Sequence, residues 1–124
     1  MPDKKKILVI EDEEMLLTMY KVKFENDGYE VYTASNGADG LEIAPKVMPD
    51  LILLDIIMPK IDGFAVLKKF KEDPKTKNIP VVLLTNLGQD EDISRGKELG
   101  SAGYLIKANN TPSEVVEKTK AFIK

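Results

Sequence analysis

Short apolar runs punctuate the chain at Ile7 to Ile10, Val31 to Ala34, Leu51 to Leu54, Val81 to Leu84 and Tyr104 to Ile106, and the stretches between them carry helical spacing. The first, third and fourth runs are continuous rather than alternating, as expected for parallel strands covered by helices on both faces. This β-α repeat predicts an α/β domain with a doubly wound, five-stranded parallel sheet.

The intervening segments differ in character. Leu16, Met19, Tyr20 and Phe24 form an apolar stripe on a first helix, and Gly28 supplies a left-handed stop. A second helix follows Asn36-Gly37, and Pro45, which has no N–H to donate, is expected to break or kink it near Ala44. Val66, Leu67 and Phe70 give the third helix its buried face, and Asp73-Pro74 closes it. The fourth, Glu91 to Leu99, has only Ile93 and Leu99 as large apolar anchors, and Gly96 inside it costs about 1 kcal/mol relative to alanine. It is expected to be the least stable helix. In the last, Thr111 and Glu114 form a capping box around Pro112, and Val115, Val116, Thr119, Phe122 and Ile123 mark the packed side. No repeat or linker interrupts the pattern, so one domain over residues 1–124 is expected, with no output domain attached.

Composition narrows the chemistry. The 124 residues include no cysteine and no histidine, which removes disulfides, thiolate sites, histidine bases and imidazole-based zinc sites. A cytoplasmic location is expected. The net charge of -3 disfavours general nucleic-acid binding, and the N-terminal apolar run is far too short for a signal-peptide core or a membrane span. What remains is carboxylate, hydroxyl, amine and metal chemistry.

Those groups fall in telling places. Glu11 and Asp12 follow the first strand, Asp55 the third, Thr85 the fourth and Lys107 the fifth. Ligands of open α/β sheets bind outside the carboxyl ends of the strands, where the strand order reverses. With the order 2-1-3-4-5, the first and third strands are neighbours, and Glu11, Asp12 and Asp55 converge. Three carboxylates repel one another and call for a hard cation, with magnesium preferred and manganese as its substitute. Lys107 and Thr85 then face the oxygens of a phosphoryl group, and an ionised Asp55 is a competent nucleophile toward phosphorus. Taken singly, each residue has a plainer explanation: acids favour helix starts, and a lone lysine is usually solvated. It is their recurrence at successive strand ends that points to a site.

The segments LVIEDEE, LILLDIIMPKIDG, VVLLTN and GYLIKA, at these spacings, resemble the signatures of response-regulator receiver domains over nearly the whole chain. The resemblance implies a flavodoxin-like fold and a phosphorylation-activated switch, with Asp55 as phosphoacceptor. Glu11, Asp12, Asp55 and the Ile57 backbone carbonyl would be its magnesium ligands, Thr85 its switch hydroxyl, Lys107 its phosphate-pairing lysine and Tyr104 its aromatic switch residue. Movement of Thr85 would make room for the Tyr104 ring to turn inward. The resemblance further implies a sensor histidine kinase or a histidine phosphotransfer protein as donor, and a downstream protein or separate output domain as target. The output face would comprise the fourth helix, fifth strand and fifth helix, with the chain a monomer or a weak dimer through that face, and no enzyme beyond its own phosphorylation and dephosphorylation. Three positions depart from the usual pattern. Asn86 stands where a small residue is usual and is expected to narrow access to an acyl phosphate. Ala108 replaces a proline often joined by a cis bond, which costs about 2.5 to 4 kcal/mol without proline. Glu11 replaces the more frequent aspartate, and its longer arm is expected to loosen metal geometry. A pseudo-receiver acting as a phosphorylation-independent interaction module is the alternative; a phosphohydrolase is disfavoured because Ile57 stands where such enzymes carry a second aspartate.

Overall fold

The computed structural model describes residues 4–58 and 61–123. The elements run β1 (Lys6–Ile10), α1 (Glu14–Asn26), β2 (Glu30–Ala34), α2 (Gly37–Val47), β3 (Leu51–Leu54), α3 (Gly63–Glu72), β4 (Val81–Thr85), α4 (Asp90–Glu98), β5 (Gly103–Ile106) and α5 (Pro112–Thr119). Single 3₁₀ turns occupy Lys107–Asn109 and Lys120–Phe122. All pairing is parallel, in the order β2-β1-β3-β4-β5, with Ile10 opposite both Ala34 and Leu54.

Alternation along the strands divides the core into two layers. Leu8, Ile10, Ile52, Leu54, Val81 and Leu83 face Ala44 of α2 and Val66, Leu67 and Phe70 of α3. Ile7, Val9, Leu51, Leu53, Val82 and Leu84 face Tyr20 and Phe24 of α1 and Val115 and Val116 of α5. Every residue of β3 and β4 is buried, as their unbroken apolar runs predict. Gly28, at φ 92°, ends α1 in the left-handed region as expected.

Three expectations are corrected. Pro45 does not break α2: the helix continues to Val47, and Met48 donates to Ala44 O at 2.8 Å. The proline stands in the last turn, where its missing N–H removes one bond near an end that is already short of partners. Met19 is 42% exposed and lies off the buried stripe of α1, which Tyr20 and Phe24 carry with partial help from Leu16 and Leu17. Ile93 is 37% exposed and does not anchor α4; Gly96 is that helix's buried residue, while Leu99 packs at its end. A Cβ on Gly96 would lie 2.7 Å from Leu83 Cδ1, so the missing side chain is what lets α4 approach the sheet.

Candidate functional site

Asp55 continues the β1–β3 ladder one residue beyond its last strand pair, its N–H donating to Ile10 O at 3.0 Å. Glu11 does the same toward β2, donating to Ala34 O at 3.0 Å. The two carboxylates are thereby set side by side at the carboxyl edge of the sheet. Both are buried, Glu11 at 2% and Asp55 at 4% exposure, whereas Asp12 is exposed. One oxygen from each of Glu11, Asp12 and Asp55 can be chosen so that all lie within 4.8 Å of one another.

Lys107, the first residue after β5, reaches back into this cluster. Its Nζ donates to Asp55 Oδ2 at 2.8 Å and lies 2.5 Å from Glu11 Oε1, with the side chain 11% exposed. The Glu11 contact is an ion pair without hydrogen-bond alignment, which leaves the buried Oε1 with no aligned donor. Burial pushes the Glu11 carboxyl up to about 7; Lys107 opposes that shift and the Asp55 charge adds to it. For Lys107, burial favours the neutral amine, but its contacts with Asp55 and Glu11 outweigh that and hold its pKa above the ordinary lysine value. The remaining oxygens are occupied locally: Glu13 N–H donates to Glu11 Oε2 at 3.1 Å, and Ile57 N–H to Asp55 Oδ1 at 3.1 Å. Ile57 turns an exposed side chain outward. Pro59, part of the motif after Asp55, lies outside the described residues.

The donor set fits a divalent cation. Oxygen ligands in a small acidic cluster suit a hard ion, and three carboxylates offer such oxygens within 4.8 Å of one another, with Lys107 the one cation paired to two of them among the described residues.

Thr85 is fully buried at the end of β4, and its Oγ1 accepts from Leu87 N–H at 3.3 Å. Tyr104 on β5 donates its hydroxyl to Leu87 O. Thr85 and Tyr104 therefore meet at the backbone of one residue. Leu87 was not singled out from the sequence, because it meets Thr85 and Tyr104 through its peptide groups, which leave no side-chain signal. The Tyr104 ring is half-buried and packs against the core beside Gly96. Burial, followed by the charge of Asp92, pushes its phenol up to about 12. Asn86 extends its side chain to Ala108, whose N–H donates to Oδ1 at 3.0 Å. Its amide oxygen is thus turned to the backbone of the neighbouring loop. The Lys107–Ala108 peptide is trans, like every peptide bond among the described residues.

A family model described as "Response regulator receiver domain" matches residues 7–120, nearly the whole chain, including every residue of this cluster. The chain belongs to that family. It is a receiver domain, the phosphorylation-activated switch module of two-component signalling. This receiver is 43% identical over 102 residues to the response regulator PleD of Caulobacter vibrioides, covering 82% of this chain and 22% of that protein. It is 38% identical to the alkaline phosphatase synthesis transcriptional regulatory protein PhoP of Bacillus subtilis, covering 97% of this chain and 49% of that one. The receiver thus spans about half or less of the curated relatives it matches. Among solved structures, it resembles the chemotaxis protein CheY4 of Vibrio cholerae with a TM-score of 0.91 at 28% identity, over 98% of this chain and 100% of that one. The Mn(2+)-bound form of response regulator Rcp1 matches with a TM-score of 0.82 at 29% identity, over 95% and 93% of the two chains. Among the described residues no helix is long and apolar enough to cross a membrane.

Proposed function

We propose that Asp55 is the phosphoacceptor of this receiver and that Glu11, Asp12, Asp55 and the Ile57 carbonyl hold the magnesium ion, with manganese able to replace it. The observation that carries the reading is the placement of Asp55: a buried carboxylate at a strand end, bonded by the Lys107 ammonium and flanked by two further acids. One carboxylate oxygen attacks phosphorus, forming the O–P bond of an acyl phosphate as the bond from phosphorus to the donor breaks and the donor takes the electron pair. Lys107 moves its hydrogen bond from Asp55 to a phosphoryl oxygen, and the Thr85 hydroxyl donates to another. Glu11, Asp12, Asp55 and the Ile57 carbonyl would hold the cation, which when bound would supply neutralisation of the charge on the phosphoryl oxygens. Hydrolysis resets the site when water attacks phosphorus and returns the electron pair to the aspartate.

The donor is a phosphohistidine on a sensor kinase or phosphotransfer protein, and the chain catalyses no reaction beyond its own phosphorylation and dephosphorylation. The Thr85 hydroxyl can donate to a phosphoryl oxygen while still accepting from Leu87 N–H, so a shift of Thr85 toward the phosphoryl group is carried to Leu87, whose O also holds the Tyr104 hydroxyl. The signal therefore passes from Thr85 through the Leu87 backbone to Tyr104 and the face built of α4, β5 and α5. That face acts on a downstream protein or an output domain, in the cytoplasm, as a monomer or a weak dimer. The 1–124 chain works as one receiver domain.

Intact mass after incubation with acetyl phosphate and magnesium tests the reading. One added phosphoryl group is expected, absent in Asp55→Asn and absent with chelator. A folded, cation-binding wild type that takes up no label, with rapid hydrolysis excluded by a time course, overturns it in favour of a phosphorylation-independent interaction module.

A further inference from the structure

We propose that Asn86 is a positioning residue for Lys107, acting through the amide of Ala108; this role rests on the phosphoryl-transfer reading of the site. The last backbone pair between β4 and β5 is Thr85 with Ile106. Beyond it the strands part, β4 leading toward α4 and β5 into the 3₁₀ turn that begins at Lys107. The bond from Ala108 N–H to Asn86 Oδ1, at 3.0 Å, places a side-chain rung just past the end of the ladder. The orientation of the Asn86 amide is fixed by that contact, since a backbone N–H can only donate.

A second tie lies on the other side of Lys107. Asn110 Nδ2 donates to Ile106 O at 2.8 Å, and Asn110 Oδ1 accepts from Lys118 Nζ of α5 at 2.5 Å. The backbone of Lys107 is therefore held between two asparagine ties, one from the β4 end and one backed by α5. A lysine ammonium sits on a flexible four-carbon stem, so its aim depends on how firmly its own backbone is held. Without Asn86, Ala108 N–H turns to water and the turn gains freedom. Lys107 then samples positions away from Asp55. The residue at position 108 matters equally, because a proline there would have no N–H for Asn86 to accept.

The test combines acetyl phosphate labelling in magnesium with amide hydrogen exchange by NMR. Asn86→Ala is expected to slow labelling about fivefold, the effect of losing roughly one hydrogen bond, and to speed exchange of the Ala108 amide. Asn86→Asp, which keeps the acceptor, is expected to restore labelling to within about twofold of wild type when added salt screens the new charge. Asn86→Leu fills similar space without an acceptor and is expected to behave like Asn86→Ala. In a Lys107→Ala background, Asn86→Ala is expected to slow labelling no further, because its effect runs through Lys107. Full additivity with Lys107→Ala, rescue by leucine, or an unchanged Ala108 amide overturns the proposal while leaving the receiver chemistry standing. Wild type that folds, binds magnesium and is never labelled overturns that chemistry and the role of Asn86 with it.

Discussion

α4 and α5 cover opposite faces of the sheet beside the same edge strand, β5, and are attached by different means. α5 begins with a complete capping box: Glu114 N–H donates to Thr111 Oγ1 at 3.2 Å and Thr111 N–H to Glu114 Oε1 at 2.9 Å. It then buries Val115, Val116 and Thr119. α4 has no side-chain cap and buries only Gly96. Its other supports are electrostatic: acids at Asp90, Glu91 and Asp92 in its first turn, and Arg95 lying 4.4 Å above the Phe64 ring and 3.9 Å from Asp62. One helix is held by side chains driven into the core, the other by close backbone approach and exposed charge. Supports of the second kind are weak enough to be exchanged without unfolding the domain.

The contrast predicts that damage to α5 is global and damage to α4 local. Val115→Ala removes two buried carbons and is expected to lower global stability by about 2 kcal/mol in chemical denaturation. Gly96→Ala gains helix propensity but drives a Cβ to 2.7 Å from Leu83 Cδ1 in a packed layer. A net loss of about 1 kcal/mol is expected, with amide exchange quickening first in residues 90–98. Stabilisation by this change would mean that α4 can shift outward at little cost. Arg95→Ala removes a cation–π contact and an exposed ion pair and is expected to cost about 0.5 kcal/mol, visible as faster α4 exchange with little change in the denaturation midpoint. Acidification should produce the smallest change. The backbone N–H of Thr111, followed by its side chain, holds the Glu114 carboxyl below its ordinary value of 4.5. Because the folded pKa is the lower one, the cap's contribution is fully present above the unfolded value and is lost as pH falls through the folded one. Helicity at the start of α5 should therefore decline only below that ordinary value, and Glu114→Gln should flatten the dependence.

The sequence disclosed the sheet well because burial on both faces leaves continuous apolar runs; β1, β2 and β5 each begin one residue before their apolar run. Glu11, Asp55, Thr85 and Lys107 were legible for a related reason, as polar residues placed directly after those runs at an edge the strand order makes concave. The anchoring of α4 was hidden. Hydrophobic periodicity weighs side chains, and it favoured Ile93 over the residue that packs closest by having none, Gly96. Pro45 misled because its effect depends on how many turns follow it. The Leu87–Tyr104 and Asn86–Ala108 bonds were out of reach, since each joins segments whose relative placement exists only once β4 and β5 have paired.

The parallel register also bears on how the chain assembles as it is made. No ladder here can close through a hairpin; each needs a connection containing a helix, so the entropy of ordering a long segment is spent before the ladder forms. β1, however, finds both of its neighbours, β2 and β3, within residues 6–54. Emerging from a ribosome, that half can collapse into a three-stranded unit carrying Glu11 and Asp55 before β4 and β5 exist. The acidic half of the site would then be built first, and Thr85 and Lys107 would arrive with the part of the chain synthesised last.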